Sequence, residues 1–267
     1  MQVTVAKTAG FCFGVRRALE LTHKSAALSC TLGELIHNRQ VVEELAGQGV
    51  TVIERPEDAP AGAAVVIRSH GVGPQVYDTL RAQGSPVIDA TCPFVKRIHQ
   101  IAAEVPENGL LLLAGRREHP EVQGILGYCR GPALVFSSAE EMQELLAFLP
   151  SDGNIPVILA AQTTFSLREW EKILFFAKKV CTNLKVFDTI CRATIERQSE
   201  AKQLAQSADA MVVVGGLHSA NTTALAALCG SYCPTVQVET ADQLERHREA
   251  LRGARFIGIT AGASTPA

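Results

Sequence analysis

No stretch of this 267-residue chain approaches the roughly 20 consecutive apolar residues that a bilayer-spanning helix requires, so no membrane partner is expected. Charge of one sign is missing too. Lys and Arg total 25 against 27 Asp and Glu, a net of -2, and nothing in that balance calls for nucleic acid or an anionic membrane surface. The opening Met1-Gln2-Val3-Thr4-Val5-Ala6 lacks the long apolar core of a signal peptide and reads as a first strand. There is no Cys-x-x-Cys pair of the zinc-ribbon or bacterial-ferredoxin kind, and no Gly-x-x-x-x-Gly-Lys-Ser/Thr loop for a nucleoside triphosphate. Linkers rich in Gly, Ser or Pro are also absent, which argues against loosely tethered domains.

What remains is eight cysteines in a chain with no secretion signal. Such cysteines point to a reducing, cytoplasmic compartment, where they serve metals or catalysis rather than disulfides. Five of them, Cys30, Cys129, Cys181, Cys229 and Cys233, read as small buried hydrophobes. The other three, Cys12, Cys92 and Cys191, each sit where an apolar, strand-like run turns into a helix-like one, and the last two share the pattern Asp-x-x-Cys.

Around these three the chain repeats itself. A histidine closes the next apolar stretch each time: His37, His119 and His218 follow their cysteines by 25, 27 and 27 residues. Three further apolar runs end in Arg68-Ser69-His70-Gly71, Gln162-Thr163-Thr164 and Gly262-Ala263-Ser264. Self-similarity of this kind decides a fold before local propensity does. The expectation is an α/β protein of three similar units with parallel sheets around a pseudo-threefold axis and a metal cluster at the centre. The units span residues 13–92, 93–188 and 189–267, with Met1 to Cys12 leading into the first. Helices are expected over 15–28, 39–48, 74–82, 93–105, 120–127, 139–148, 167–180, 192–205, 220–230 and 241–251, with short apolar strands between them.

In open parallel sheets ligands bind beyond the carboxyl ends of the strands, and every residue singled out lies at such an end. A cysteine at a helix N-terminus gains thiolate character, and three converging thiolates suit an iron-sulfur cluster or a zinc ion. Three ligands leave one coordination position open, as catalytic metals require. His37, His70, Ser219, Asn221 and Ser264 are donors in loops beside helix starts, where phosphate and carboxylate groups bind; taken singly, each Ser or Asn is also a plain helix cap. Glu121, two residues after His119, either complements a helix dipole or donates a proton, with His119 and Thr163 linking it to a bound hydroxyl. Asp89 and Asp188 precede cysteines and could cap the helices that follow.

Taken together, Gly-Phe-Cys12-Phe-Gly-Val-Arg-Arg-Ala, Gly-Glu-Leu-Ile-His37-Asn-Arg, Ser-His70-Gly-Val, Asp-Ala-Thr-Cys92-Pro, His119-Pro-Glu121-Val-Gln-Gly, Gln-Thr163-Thr, Asp-Thr-Ile-Cys191, Ser219-Ala-Asn221 and Thr-Ala-Gly-Ala-Ser264-Thr-Pro resemble the 4-hydroxy-3-methylbut-2-enyl diphosphate reductase family, in order, from about residue 5 to 266. The resemblance implies an oxidoreductase of isoprene biosynthesis. It would catalyse the last step of the methylerythritol phosphate pathway, in which this allylic diphosphate is reductively dehydroxylated to isopentenyl and dimethylallyl diphosphates.

It further implies one 4Fe-4S cluster with an open iron site on Cys12, Cys92 and Cys191. A diphosphate grip of His37, His70, Ser219, Asn221 and Ser264 would adjoin a proton relay of His119, Thr163 and the donor Glu121. Electrons would come from a ferredoxin or flavodoxin type donor. Three departures stand out: Ala220 where the family has a second Ser, Glu118 where Gly commonly precedes His-Pro-Glu, and an end soon after Ser264 where relatives continue. Other readings of the same residues are a cluster- or zinc-holding sensor with an anion pocket, and an iron-sulfur hydro-lyase with Arg68 or Arg116 as a carboxylate clamp.

Overall fold

The computed structural model describes residues 1–25, 29–147, 155–181 and 183–266. Ala267, and the far ends of the helices expected to reach Leu28 and Phe148, lie outside the described residues. The chain opens with β1 (Gln2–Val5), α1 (Phe13–Ser25), β2 (Ser29–Leu32), α2 (Arg39–Gly47), β3 (Thr51–Ile53), β4 (Ala64–Ile67), α3 (Pro74–Ala82) and β5 (Val87–Asp89). It continues with α4 (Pro93–Ala103), β6 (Leu110–Ala114), α5 (Pro120–Leu126), β7 (Ala133–Phe136), α6 (Ala139–Leu146), β8 (Val157–Ala161), α7 (Leu167–Val180) and β9 (Leu184–Val186). The last part is α8 (Arg192–Ser207), β10 (Ala210–Val214), α9 (Ala220–Gly230), β11 (Thr235–Val238) and β12 (Phe256–Ala261).

These strands form three four-stranded sheets in the orders β3-β2-β4-β5, β7-β6-β8-β9 and β1-β12-β10-β11, and the pairings within each are parallel. Each sheet thus runs second, first, third, fourth, with one exception of origin. The fourth strand of the last sheet is β1, from the other end of the chain, in register Gln2 with Phe256 through Val5 with Ile259. The sequence order had set β1 at the head of the first unit. The chain instead closes its third unit with its own first strand.

Composition explains the strand order. The central strands β6 (LLLLA) and β8 (VILAA) are buried throughout, as parallel strands covered on both faces must be. The edge strands β1, β3 and β9 are mostly exposed or half-exposed. Proline opens α3, α4 and α5, where its missing N–H is an orphan in any case. Ser138 and Ser166 accept the third-residue N–H groups of α6 and α7, at 3.1 and 3.4 Å. One expected helix does not form: 241–251 is a 3-10 helix over Ala241–His247 followed by turns. Only Leu244 and Leu251 of that stretch pack on the core, and one apolar contact every two turns is too little to hold a full α-helix.

The chain divides into two compact units. One comprises Met1–Arg16, Ile36–Glu44 and Cys191–Ala267 and contains the sheet closed by β1. Its core is Met211, Val213, Leu225, Cys229, Ala201 and Ala205 on one face of that sheet, and Val212, Val236, Val238 and Ile257 on the other. The other unit comprises Arg17–Leu35 and Leu45–Ile190 and contains the remaining two sheets. There α4 and α5 press Ile98, Ile101, Val122 and Ile125 onto Leu111, Leu113 and Ile158. A second core gathers Leu32, Val65, Ile67 and Leu80. Each fully buried Leu or Ile contributes roughly 1.5–3 kcal/mol, so these cores hold the strand ends that carry the site.

Candidate functional site

Six of the eleven residues singled out from the sequence, Cys12, His37, Cys191, Ser219, Asn221 and Ser264, lie in the first compact unit; His70, Cys92, His119, Glu121 and Thr163 lie in the second. The three cysteines share one local design. Each follows the fourth strand of a sheet, and each gives its carbonyl to the first turn of a helix: Cys12 to the N–H of Arg16 at 3.0 Å, Cys92 to Lys96 at 2.9 Å, Cys191 to Ile195 at 3.1 Å. Their own amides are tied to neighbouring loops where the bond is resolved. Cys12 donates to the carbonyl of Ala263 and Cys92 to that of Ser69, at 3.1 and 3.0 Å. All three are half-buried, and among the described residues no disulfide forms.

Of the other five cysteines, Cys30 and Cys229 are fully buried and Cys129, Cys181 and Cys233 half-buried. Burial raises the thiols of Cys30, Cys129, Cys181 and Cys233 and pushes Cys229 up to about 12, which keeps them protonated and inert. The aspartates do not cap the cysteine helices. Asp89 accepts the N–H of Thr91 at 2.9 Å and pairs with Lys96 at 2.6 Å, bracing the turn that ends in Cys92, while Asp188 is exposed.

In the second unit the loops after β4, β6 and β8 bring His70, His119, Glu121 and Thr163 together. His70 and His119 meet edge to face, with ring centroids 5.4 Å apart. His119 caps α5: its Nδ1 accepts the Glu121 N–H at 3.1 Å, so in the neutral ring the proton is assigned to Nε2. Glu121 is 2 % exposed, and its two oxygens accept the Thr163 N–H at 2.7 Å and the Thr163 hydroxyl at 2.8 Å. Burial raises its carboxyl to about 7, against the lowering effect of those two Thr163 donors. A surface dipole-complementing role is thereby ruled out for this side chain.

Because the Thr163 hydroxyl donates to the ionised carboxylate, removing it should raise the Glu121 pKa further. Thr163→Val is expected to move the carboxyl titration midpoint upward, read by NMR on protein with 13C-labelled glutamate; a downward shift would contradict the assigned donor direction.

Behind this cluster stands His99, which the sequence reading passed over. It is buried on α4, stacks on Tyr128 at 4.4 Å, and burial lowers it to about 4, so it is neutral. Gly71, at φ +72°, lies against it; a Cβ there would come within 2.6 Å of His99 Cε1 and 2.9 Å of Thr91 Cγ2. That close approach fixes the peptide following His70, and it requires glycine.

In the first unit two helix starts face the carboxyl edge of the β1-β12-β10-β11 sheet. Asn38 caps α2, its Oδ1 accepting the Val41 N–H at 3.1 Å while its Nδ2 donates to the Ser264 carbonyl at 2.9 Å. Ser219 caps α9 through the Thr222 N–H at 3.4 Å. Asn221, 4 % exposed in the first turn of α9, has neither carboxamide atom hydrogen-bonded among the described residues. Buried amides are nearly always satisfied, so Asn221 together with the helix start beside it suits an anionic or hydrogen-bonding ligand.

The caps also correct the repeat. Asn38, His119 and Ser219 occupy the equivalent position in the three sheets, whereas His37 sits one residue before its cap and His218 is exposed. The recurring feature is the strand end and the helix cap, not the histidine. Arg197, on α8, is the other residue that the sequence motifs do not reach. Its sequence signal is an arginine on the inward face of α8, in step with Thr194, Ala201 and Ala205.

A family model described as LytB protein matches residues 3–267. The curated 4-hydroxy-3-methylbut-2-enyl diphosphate reductase of Caldanaerobacter subterraneus subsp. tengcongensis is 40% identical over 275 residues, covering 100% of this chain and 93% of the relative. That of Geobacter sulfurreducens is 42% identical over 272 residues, with 100% and 93% covered. Among solved structures, the E-1-hydroxy-2-methyl-but-2-enyl-4-diphosphate reductase of Plasmodium falciparum superposes with a TM-score of 0.91 at 26% identity, over 99% of this chain and 84% of the other. A second, (E)-4-hydroxy-3-methyl-but-2-enyl diphosphate reductase, described as the terminal enzyme of the non-mevalonate pathway, gives 0.67 at 38% identity, over 100% and 95%. Among the described residues no helix is long and apolar enough to cross a membrane.

Proposed function

The chain belongs to the LytB protein family, and from that premise we propose that it reduces 4-hydroxy-3-methylbut-2-enyl diphosphate to isopentenyl and dimethylallyl diphosphates, the last step of the methylerythritol phosphate route. The reaction consumes two electrons and two protons: the C–O bond of the allylic hydroxyl breaks, water leaves, and a new C–H bond forms at one end or the other of the allyl unit. Two ends account for two products.

The observation that carries this reading is Glu121. A carboxyl buried to 2 % exposure and raised to about 7 keeps a large share of its acid form near neutral pH, poised to hand a proton to a departing hydroxyl. Thr163 orients it through two hydrogen bonds, and His119 fixes the first turn on which it stands. A ligand sensor has no need of such a donor.

Cys12, Cys92 and Cys191 would hold a 4Fe-4S cluster with one iron left without a protein ligand. The donor chemistry fits, since these are the cysteines at helix starts, where first-turn N–H groups favour the thiolate. When bound, the cluster supplies single electrons, passed on from a ferredoxin or flavodoxin, and a Lewis-acidic iron. His37, His70, Ser219, Asn221 and Ser264 bind the diphosphate, with the α2 and α9 N-termini adding dipole. Ala220 supplies only its backbone where a second hydroxyl would add a bond.

The test is turnover of anaerobically prepared, iron-57-loaded protein with reduced methyl viologen, products read by mass spectrometry, alongside a Mössbauer spectrum with and without the substrate. Both diphosphates should form, at two reducing equivalents per substrate, and one iron site should change its signal. Iron indifferent to the diphosphate, with no product, would overturn the reductase in favour of the sensor.

A further inference from the structure

On α8, nearly two turns after Cys191, a guanidinium is buried with no carboxylate hydrogen-bonded to it among the described residues. Arg197 is 3 % exposed, and its Nη2 donates to the carbonyls of Thr8 and Gly10, each at 2.6 Å, while its Nε has no partner. One turn on, Glu200 accepts the N–H groups of Lys7 and Thr8 at 2.8 Å each and the Thr8 hydroxyl at 2.6 Å. The two side chains therefore grip residues 7–10 from both sides, by their carbonyls and by their amides. That segment leads directly into Cys12, and the helix that grips it begins at Cys191.

Two neutral donors would suffice to hold two carbonyls. Arg197 brings a full charge as well, and a buried charge is costly unless something of opposite sign faces it. Burial disfavours its charge most; the ionisable groups that favour it are, in order, Cys12, Cys191 and Glu200, with Arg16 opposing. Glu200 gives its oxygens to two backbone amides and the Thr8 hydroxyl, which leaves the two sulfurs as the main groups for the cation to act on.

We propose that Arg197 is a positioning residue that ties the Cys12 loop to the Cys191 helix and whose positive charge raises the reduction potential of the cluster those thiolates hold. The inference rests on the cluster reading above. Net charge and polar contacts around the sulfurs are what tune such potentials, and a fixed cation favours the electron-richer form.

The test compares wild type with Arg197→Gln, which keeps a donor and drops the charge, and Arg197→Lys, which keeps the charge. The readouts are iron content and midpoint potential, by anaerobic titration followed by EPR. Arg197→Gln should lower the equilibrium constant for one-electron reduction about tenfold, 59 mV. Arg197→Lys should stay within about twofold of wild type. A Gln variant at the wild-type midpoint, or a Lys variant shifted as far as Gln, overturns the proposal. Should Arg197→Gln refuse iron, loading of Arg197→Lys supports it and refusal by both overturns it. Wild-type protein that takes up no iron sinks the cluster reading itself, a result distinct from the others.

Discussion

Protein carrying Glu121→Gln should fold, take up iron, bind the diphosphate and lose about 10²–10⁴-fold in turnover, the usual contribution of a positioned general acid. The replacement is isosteric, and its carbonyl oxygen still accepts one of the two Thr163 donors, so shape and position are kept. What disappears is the transferable proton. Glu118→Gln, three residues earlier and exposed, is the control and should leave turnover unchanged.

The same variant carries a stability signature whose sign follows from the raised pKa. A carboxyl at about 7 when folded and near 4.5 when unfolded binds its proton more tightly in the folded state, so wild-type stability falls as pH rises from 4.5 towards 7. The shift amounts to about 3 kcal/mol at most, at 1.36 kcal/mol per unit. Glu121→Gln lacks that slope and should gain on wild type above pH 7, the gap closing towards pH 4.5 in urea melts. Turnover above a tenth of wild type, or parallel pH profiles of stability, would remove Glu121 from the proton-donor role.

Much of this was legible in the sequence because parallel strands buried on both faces are short apolar runs, and prolines and serines mark where helices start. Helices 74–82, 167–180 and 220–230 agree to the residue with α3, α7 and α9. Of the five cysteines read as small buried hydrophobes, Cys30 and Cys229 are fully buried while Cys129, Cys181 and Cys233 are only half-buried, although burial raises all five thiols. What stayed hidden depends on partners distant in the chain. Nothing local says that Gln2–Val5 pairs with Phe256–Ile259, although that pairing makes Cys12 follow a fourth strand as Cys92 and Cys191 do. Spacing alone aligned three histidines, whereas the folded repeat aligns the caps Asn38, His119 and Ser219. Arg197 carries no local mark of its role, because its two acceptors lie nearly 190 positions away.

Cys12→Ser, Cys92→Ser and Cys191→Ser should each lose stable iron and fall to background turnover, because a serine hydroxyl is not ionised near neutral pH and makes a poor ligand for iron held by thiolates. These three side chains are half-buried at helix caps, where serine is a preferred residue, so the iron-free variants should melt close to iron-free wild type. Cys30→Ser and Cys229→Ser should do the reverse. Both sulfurs are fully buried in apolar clusters, and a hydroxyl placed there without a good partner costs roughly 1–3 kcal/mol, while the iron content stays at the wild-type level. Iron per chain and melting temperature, measured on all five variants, separate the two classes of cysteine along independent axes. Retained iron in Cys92→Ser would remove that residue from the ligand set, and lost iron in Cys229→Ser at unchanged stability would add one that the fold keeps in its core.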